Sequence, residues 1–499
     1  MNTGRRAVNT LFISIMIMAA LAVRAFYVIP PMTVQGDSAV FALMAKHILE
    51  LKEFPIYMWL AHYGGTLPCY IGAGLFKLFG ISSTVYLAIG LLISMAWACV
   101  SFILARKILD RAGAIYALIA VLVPPSCVVL YSSETGSINS LALLFGSLSL
   151  LLLVVCRDKG YRNAARSFAL LGIISGAGLW LTPAMAPFIL ATLTLLIVED
   201  KTVFLRLEFR LFILGFLAGY FPAIVYNLQY PNAALFRLAG RVLELDRGVL
   251  MASNLKEIVI ERILWRLSTV PVSLARIPDM LISATGPVNT VLFFIALVWA
   301  RKDVILRPVL VYVLWFSVCY AFFVGLSPNR YIIPVYAAFP FLFGKLLSDI
   351  RARSKIISTT LLLAVLLGNV CGNAFDFIHR RTPHYAGLVK WMLSRNYLYG
   401  YAGYWTSYPV IFESGERILV SPTLLHPTFS DRMPEYTAKV RNATGAVYII
   451  GENDGPGLAL RLEGRLKKMN IKYKKDVFEE FSVYSEISRK VYPEEIALK

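Results

Sequence analysis

Residues 84–105 read TVYLAIGLLISMAWACVSFILA and run directly into Arg106-Lys107-Ile108-Leu109-Asp110-Arg111. No charged side chain interrupts those 22 residues. As a helix they extend about 33 Å, which matches the roughly 30 Å hydrocarbon core of a bilayer. A helix is also the form in which one segment satisfies all its own backbone N–H and C=O groups in lipid. The basic cluster at the end then marks the cytoplasmic side, where Lys and Arg accumulate.

Further apolar runs follow the same logic at 9–30, 112–131, 137–156, 167–182, 184–198, 211–230, 285–300, 308–325, 331–348 and 356–372. With 84–105 they predict about eleven spans. The first follows Arg5 and Arg6 as a signal peptide would, but it exceeds a signal h-region and no small-x-small cleavage site closes it. It reads as a retained span with a cytoplasmic N-terminus. The fifth and sixth runs are short and meet at Thr182-Pro183, which predicts broken or tilted helices there.

Charge orients this series. Alternate loops carry Arg106/Lys107/Arg111, Arg157/Lys159/Arg162/Arg166, Lys201/Arg206/Arg210, Arg301/Lys302/Arg307 and Lys345/Arg351/Arg353/Lys355, while the short turns at 132–136 and 182–183 carry neither Lys nor Arg. The chain has 499 residues, 58% hydrophobic and 16% charged, with a formal net charge of +19. Soluble domains are nearer 45–50% apolar and about 25% charged, so a soluble multidomain enzyme and a disordered chain are both excluded. Residues 1–372 hold 31 basic against 16 acidic residues, and 373–499 hold 18 against 14. The surplus is thus mainly an orientation signal and not a nucleic-acid footprint, and no nucleic-acid partner is expected. The six cysteines lack zinc-type spacing, and only Cys69–Cys371 could conceivably pair.

The fold expected is mainly α: a polytopic transmembrane bundle over 1–372 with outer loops 31–83 and 231–284, then a small α/β domain over 373–499 outside the membrane. In the first loop, Val40, Phe41, Met44, Ile48 and Leu51 share one helical face, with Lys46, His47, Glu50 and Glu53 off it. Such a helix is expected to lie in the membrane interface, as is a second amphipathic stretch at 255–267. Asp37 precedes the first run where an N-cap would stand. In the tail, 417–420, 446–450 and 483–485 read as strands and 435–442 and 458–469 as helices. The Gly-rich stretch 451–457, GENDGPG, lacks a phosphate-binding pattern and reads as a loop.

Polar residues with chemical potential gather at the outer ends of the spans. They are Asp37, His62 and Tyr63 in the first loop, Glu134 after the third span, Asn227 at the end of the seventh, and Arg330-Tyr331 between the ninth and tenth. Arg24, near the outer end of the first span, is expected to snorkel or pair locally. Each has a plain structural reading as a cap, turn or snorkelling group. Together, two carboxylates and an arginine form an acid-base and anion-binding set. A carboxylate can accept the proton of an attacking hydroxyl, and an arginine can hold a phosphate bidentately.

Several short runs resemble the GT-C superfamily of integral membrane glycosyltransferases. The kinds they resemble are the protein O-mannosyltransferases, the aminoarabinose lipid A transferases and their bacterial relatives. The runs are Gly36-Asp37-Ser38-Ala39-Val40-Phe41-Ala42-Leu43-Met44-Ala45, Tyr63-Gly64-Gly65 to Phe76-Lys77-Leu78-Phe79-Gly80, Pro222 to Tyr226-Asn227, and Arg330-Tyr331-Ile332-Ile333-Pro334. Tyr404-Trp405 and Phe412-Glu413-Ser414-Gly415-Glu416-Arg417 resemble the tails of some bacterial members. Ser38 stands where the family often has a second acidic residue.

The resemblance implies an inverting transfer of a sugar from a polyprenyl-phosphate donor to a glycan, lipid or protein acceptor at the outer face of the cytoplasmic membrane, among membrane lipids. It implies Asp37 as base, Glu134 as its assistant, and Arg330 with Tyr331 and His62 at the donor phosphate. Tyr63 and Asn227 are implied at the substrate. Asp37, Glu134 and His62 are the candidate ligands if a divalent metal ion takes part. Three other classes stay open in the sequence: a lipid or solute transporter or flippase, a structural or assembly protein whose outer domain binds a partner, and a polymerase or ligase using diphosphate-linked donors. No internal repeat of the transporter kind is visible.

Overall fold

The computed structural model describes residues 18, 20–25, 28, 32–134, 138–231, 255–324, 329–379, 383–424, 431–451, 454–455 and 457–496. Most of the expected first span lies outside the described residues, as does the stretch 232–254. The chain forms two compact units. One comprises Met1–Tyr27, His62–Gly65 and Gly90–His379, and the other Val28–Ala61, Thr66–Ile89 and Arg380–Lys499.

The protein is mainly helical and polytopic. Among the described residues four helices are long and apolar enough to cross a membrane: Ser83–Ile108, Asn139–Asp158, Leu207–Gln229 and Lys355–His379. Two bent pairs, Arg111–Leu122 with Ser126–Ser133 and Arg330–Ala337 with Phe339–Arg353, raise the number to six if each pair is one span. Shorter apolar helices, Ala165–Leu181, Pro183–Glu199, Pro287–Ala300 and Arg307–Phe322, lie at other expected positions. The break at Thr182-Pro183 is present, and the Thr182 side chain accepts from the Ala184 N–H to restart the chain. Ile213, Leu214, Leu217 and Phe221, and likewise Ile356, Leu363 and Leu367, are exposed on long helices. Apolar patches of that extent suit a lipid surface and not water.

Helix contacts in the first unit follow from small residues. Gly172 and Gly176 face Gly215 and Gly219 on the neighbouring helix. A Cβ on Gly176 would stand 2.1 Å from the Phe216 carbonyl oxygen, and one on Gly219 2.2 Å from that of Ile173. This reciprocal small-xxx-small pattern lets two backbones touch where lipid offers no hydrophobic drive.

The third expected span is bent by 74° at Val123-Pro124-Pro125. Prolines supply no N–H, so the carbonyls before them lose their helical donors. Side chains replace those donors one by one. Tyr336 Oη donates to the Ala120 carbonyl at 3.2 Å. Arg24 donates to those of Val121 and Leu122 at 2.9 and 2.8 Å. Asn369 serves Val123 at 2.8 Å and Asn373 serves Pro124 at 2.9 Å. Arg24 is fully buried and also donates to Ser94 Oγ at 2.7 Å. It does not snorkel, because a row of orphaned carbonyls gives its charge a better place inside the bundle.

The five basic loops meet at one end of this unit. Lys107 pairs with Asp158 at 2.8 Å. Glu199 takes Arg157 at 2.9 Å and Arg307 at 3.4 Å. Lys345 reaches Asp303 at 3.5 Å, and Ser348 donates to Asp110 at 2.6 Å.

The second unit carries a five-stranded sheet in the order β2-β1-β3-β5-β4. Its strands are β1 (Tyr399–Tyr401), β2 (Leu419–Ser421), β3 (Val447–Gly451), β4 (Lys474–Phe478) and β5 (Phe481–Ser485). β1 runs parallel to β2 and β3, and β5 antiparallel to β3 and β4. The three expected strands and both expected helices are present, the helices as Pro434–Asn442 and Leu458–Lys468. Leu458, Leu462 and Leu466 bury the inner face of the latter. The strands β1 and β4 were not expected. β1 is three residues long, and β4 is an edge strand whose lysines hide its periodicity while they guard the edge. All six cysteines are free thiols.

The Asp37 helix, Gly36–Leu49, also belongs to the second unit and packs against the helices Leu67–Phe79 and Tyr404–Glu413. It departs from expectation in two ways. It does not lie with one face to lipid, because twelve of its fourteen residues are buried, Lys46 and His47 among them. Paired carboxylates make that burial tolerable, as described below. Asp37 is not the N-cap; Gln35 occupies that position, without a side-chain cap, and Asp37 stands in the first turn. In the first unit the stretch at 255–267 is part of the helix Leu255–Ala275, with Ile260, Leu264, Trp265 and Leu267 exposed.

Candidate active site

Asp37 is placed by the glycine before it. Gly36 has φ +48°, and a Cβ there would stand 2.0 Å from Cζ3 of Trp405. Only glycine allows both that conformation and the indole's approach. The tail residue before Trp405, Tyr404, donates its hydroxyl to Asp37 Oδ1. Burial, and then the charge of Asp37, pushes the Tyr404 hydroxyl well above the ordinary tyrosine range, with the Arg432 guanidinium opposing. Arg432 lies 6.0 Å from the Tyr404 ring centroid.

The far end of the helix is held by Glu416. Its carboxylate accepts from Lys46, from His47 Nε2 at 2.7 Å and from Tyr436 Oη. His47 Nδ1 meets Glu53 Oε1 at 2.9 Å, and Trp59 Nε1 donates to Glu53 at 3.0 Å. Burial opposes the charge on His47, but hydrogen bonds and charge from Glu416 and Glu53 outweigh it and raise its pKa to about 9. Burial likewise opposes ionisation of Glu416, yet His47, Lys46 and Tyr436 hold it well below the usual carboxylate range. Beside this cluster a cleft of about 380 Å³ opens, lined by His47, Lys52, Glu53, Trp59, Arg432 and Glu435, among others.

The first unit holds the other candidates. Gly65 packs on the helix end at Trp180-Leu181, where a Cβ would stand 2.9 Å from Leu181 Cα, and its N–H bonds the Leu181 carbonyl at 3.2 Å. That contact fixes the His62–Gly65 segment, and His62 Nδ1 meets Tyr226 Oη at 2.6 Å. Tyr63 is half-buried. Asn227, next to Tyr226, donates to its own helix at the Ala223 carbonyl, 2.8 Å away. Glu134 ends the helix Ser126–Ser133 and is half-buried, and its carbonyl accepts from Ser140 Oγ at 3.4 Å. Arg330 stacks 5.1 Å from the Tyr331 centroid and donates to its hydroxyl at 3.3 Å. Tyr331 thus helps to orient the Arg330 guanidinium.

Within the units, His62 joins Tyr226 and Arg330 joins Tyr331, while Asp37 joins Tyr404. Among the described residues no three His, Cys, Asp or Glu side chains form a group able to hold a metal ion. Asp37 Oδ1 and His62 Nδ1 are both engaged by tyrosines.

Sequence reasoning missed Tyr226, the buried Arg266 of the helix Leu255–Ala275, and the roles of Lys46, His47, Tyr404 and Glu416. Arg266 is hidden in sequence by Glu257, Glu261 and Arg262 around it. The tail residues had a signal, since Tyr404 and Glu416 lie in the two tail runs that carried the resemblance.

No protein-family model matches the chain, and no curated protein sequence matches it. Solved structures do. ArnT from Cupriavidus metallidurans bound to undecaprenyl phosphate matches with a TM-score of 0.63 at 12% identity, over 96% of this chain and 98% of that one. Its apo state matches with a TM-score of 0.59 at the same identity and coverage. The Archaeoglobus fulgidus oligosaccharyltransferase in complex with zinc and sulfate matches with a TM-score of 0.57 at 11% identity, over 94% of this chain and 72% of that one.

Proposed function

We propose that this chain is a membrane glycosyltransferase that moves a sugar from a polyprenyl-phosphate donor to an acceptor hydroxyl, with inversion. The observation that carries the reading is the fold likeness to ArnT bound to undecaprenyl phosphate, over nearly the full length of both chains. Asp37 in the first turn of the first-loop helix and the cation at Arg330 support it. In this reading the chain crosses the membrane about eleven times, with the basic loops cytoplasmic and residues 373–499 outside.

The chemistry asks little of the protein beyond proton transfer and charge stabilisation. The acceptor oxygen attacks the anomeric carbon from the face opposite the phosphate. Its proton passes to Asp37 as the new C–O bond forms. The bond from the anomeric carbon to the phosphate oxygen breaks, and its electron pair stays on the lipid phosphate. Arg330, oriented by Tyr331, stabilises that charge. Glu134 assists at the acceptor side, His62 with Tyr226 serves the phosphate, and Tyr63 and Asn227 border the substrate.

The test uses detergent-purified protein and a panel of radiolabelled polyprenyl-phosphate sugars with membrane-extract acceptors. Label should leave the lipid for an acceptor or for water. Label retention with every monophosphate donor, together with turnover of a diphosphate-linked donor, would contradict the reading. Movement of intact lipid across liposomes without transfer would favour a flippase.

A further inference from the structure

The C-terminal domain holds the Asp37 helix at both ends through one continuous stretch, Tyr404 to Glu416. At the start of the helix, Trp405 lies over Gly36 and Tyr404 donates to Asp37. At its end, Glu416 engages Lys46 and His47. The stretch is itself pinned to the domain. Tyr385 Oη donates to the Trp405 carbonyl at 2.9 Å. Thr406 donates to Asp454 at 3.2 Å, and Asp454 also accepts from the Gly451 N–H at 2.9 Å. The carboxylate at position 37 therefore takes its orientation from the tail and not only from its own helix.

We propose that Tyr404 is a positioning residue for Asp37, donating to Oδ1 so that Oδ2 is the oxygen directed at the acceptor proton. This rests on the assignment of Asp37 as the base. A carboxylate that accepts a hydrogen bond at one oxygen is held in one orientation, and the other oxygen keeps both of its lone pairs to receive a proton. The Tyr404 hydroxyl keeps its own proton while Asp37 is ionised, since burial and the neighbouring carboxylate both oppose its loss. The titratable and charged groups around the pair, among the described residues of this unit, are Arg432 and Tyr408, whose ring meets that of Tyr404 edge-on at 5.1 Å.

The experiment compares wild type, Tyr404→Phe and protein with 3-fluorotyrosine at position 404, which donates more strongly and keeps the ring. The readouts are sugar release from the labelled donor across pH and the infrared carboxylate band of Asp37, assigned by its loss in Asp37→Asn. Tyr404→Phe should lower kcat about ten- to a hundred-fold with donor KM unchanged. It should also move the acidic limb of the rate profile upward, since a hydrogen bond to the charged form is lost. The fluorinated protein should move that limb downward. The band should shift in opposite directions in the two proteins. A full-rate Tyr404→Phe with an unmoved limb and band overturns the positioning role and leaves the enzyme reading intact. Inactivity of wild type on every donor overturns the enzyme reading, and the infrared band then decides the Tyr404–Asp37 bond alone.

Discussion

At the scale of single residues the account turns on buried charge. Glu416 is half-buried, with the buried Lys46 and His47 and with Tyr436 against it. Glu416→Gln leaves Lys46 with Glu50 alone and His47 with Glu53 alone, and should cost about 1–3 kcal/mol of stability in the second unit, measured by thermal unfolding. The pH dependence has a definite sign. His47 is raised from 6.5 to about 9, so its contribution is complete below 6.5 and is lost as pH rises toward 9. Glu416 is lowered from 4.5, so its contribution is present above 4.5 and is lost on acidification. Lys46, Glu50, Lys52 and Glu53 also face the cluster. Wild type should lose thermal stability between pH 6.5 and 9, and His47→Gln should flatten that fall. An equal slope in both would remove His47 from the clamp. Little of this was legible beforehand. Local sequence placed Lys46 and His47 on a polar face, and only a carboxylate 370 residues away for Lys46, or 369 for His47, turns that face into a buried one.

At the scale of elements, helices were legible because apolar length is a local property, and breaks were legible only where proline announced them. Thr182-Pro183 was read as a break. Pro124-Pro125 lies inside an apolar run that reads as one span, yet the chain bends there by 74°. The bend persists because Arg24, Tyr336, Asn369 and Asn373 supply donors to five successive carbonyls. Arg24→Met should cost about 1–3 kcal/mol for each carbonyl left without a donor. It should also reduce transfer, because the helix Ser126–Ser133 after the bend carries Glu134 at its end. Wild-type stability and rate in that variant would show the bend to be set by the prolines alone. The glycine pairs were equally present in sequence, as Gly172-x-x-x-Gly176 and Gly215-x-x-x-Gly219. Their meaning needs the partner helix, since a Cβ on either side would meet the other backbone. Gly176→Leu should separate these helices and lower detergent stability, read as the unfolding temperature, whereas Gly74→Leu, with open space around it, should not.

At the scale of the whole molecule, composition and loop charge were enough to assign a polytopic protein with a small α/β tail. They could not show that residues 28–61 and 66–89 belong to the same compact unit as the tail. That grouping depends on pairs such as Ser83–Glu413 and Asp37–Tyr404, which no local pattern encodes. The proposed orientation makes its own prediction. In a variant without native cysteines, a cysteine at Lys474 should react with an impermeant maleimide added outside intact cells, and one at Lys159 should not. The reverse labelling would invert the topology. The central claim, that Asp37 is the base of a polyprenyl-phosphate-dependent transferase, is tested most directly by the initial rate of sugar loss from labelled polyprenyl-phosphate donor in wild type and folded Asp37→Asn. The account predicts a fall of about 10²–10⁴-fold with donor binding retained. Equal rates in the two proteins would contradict it.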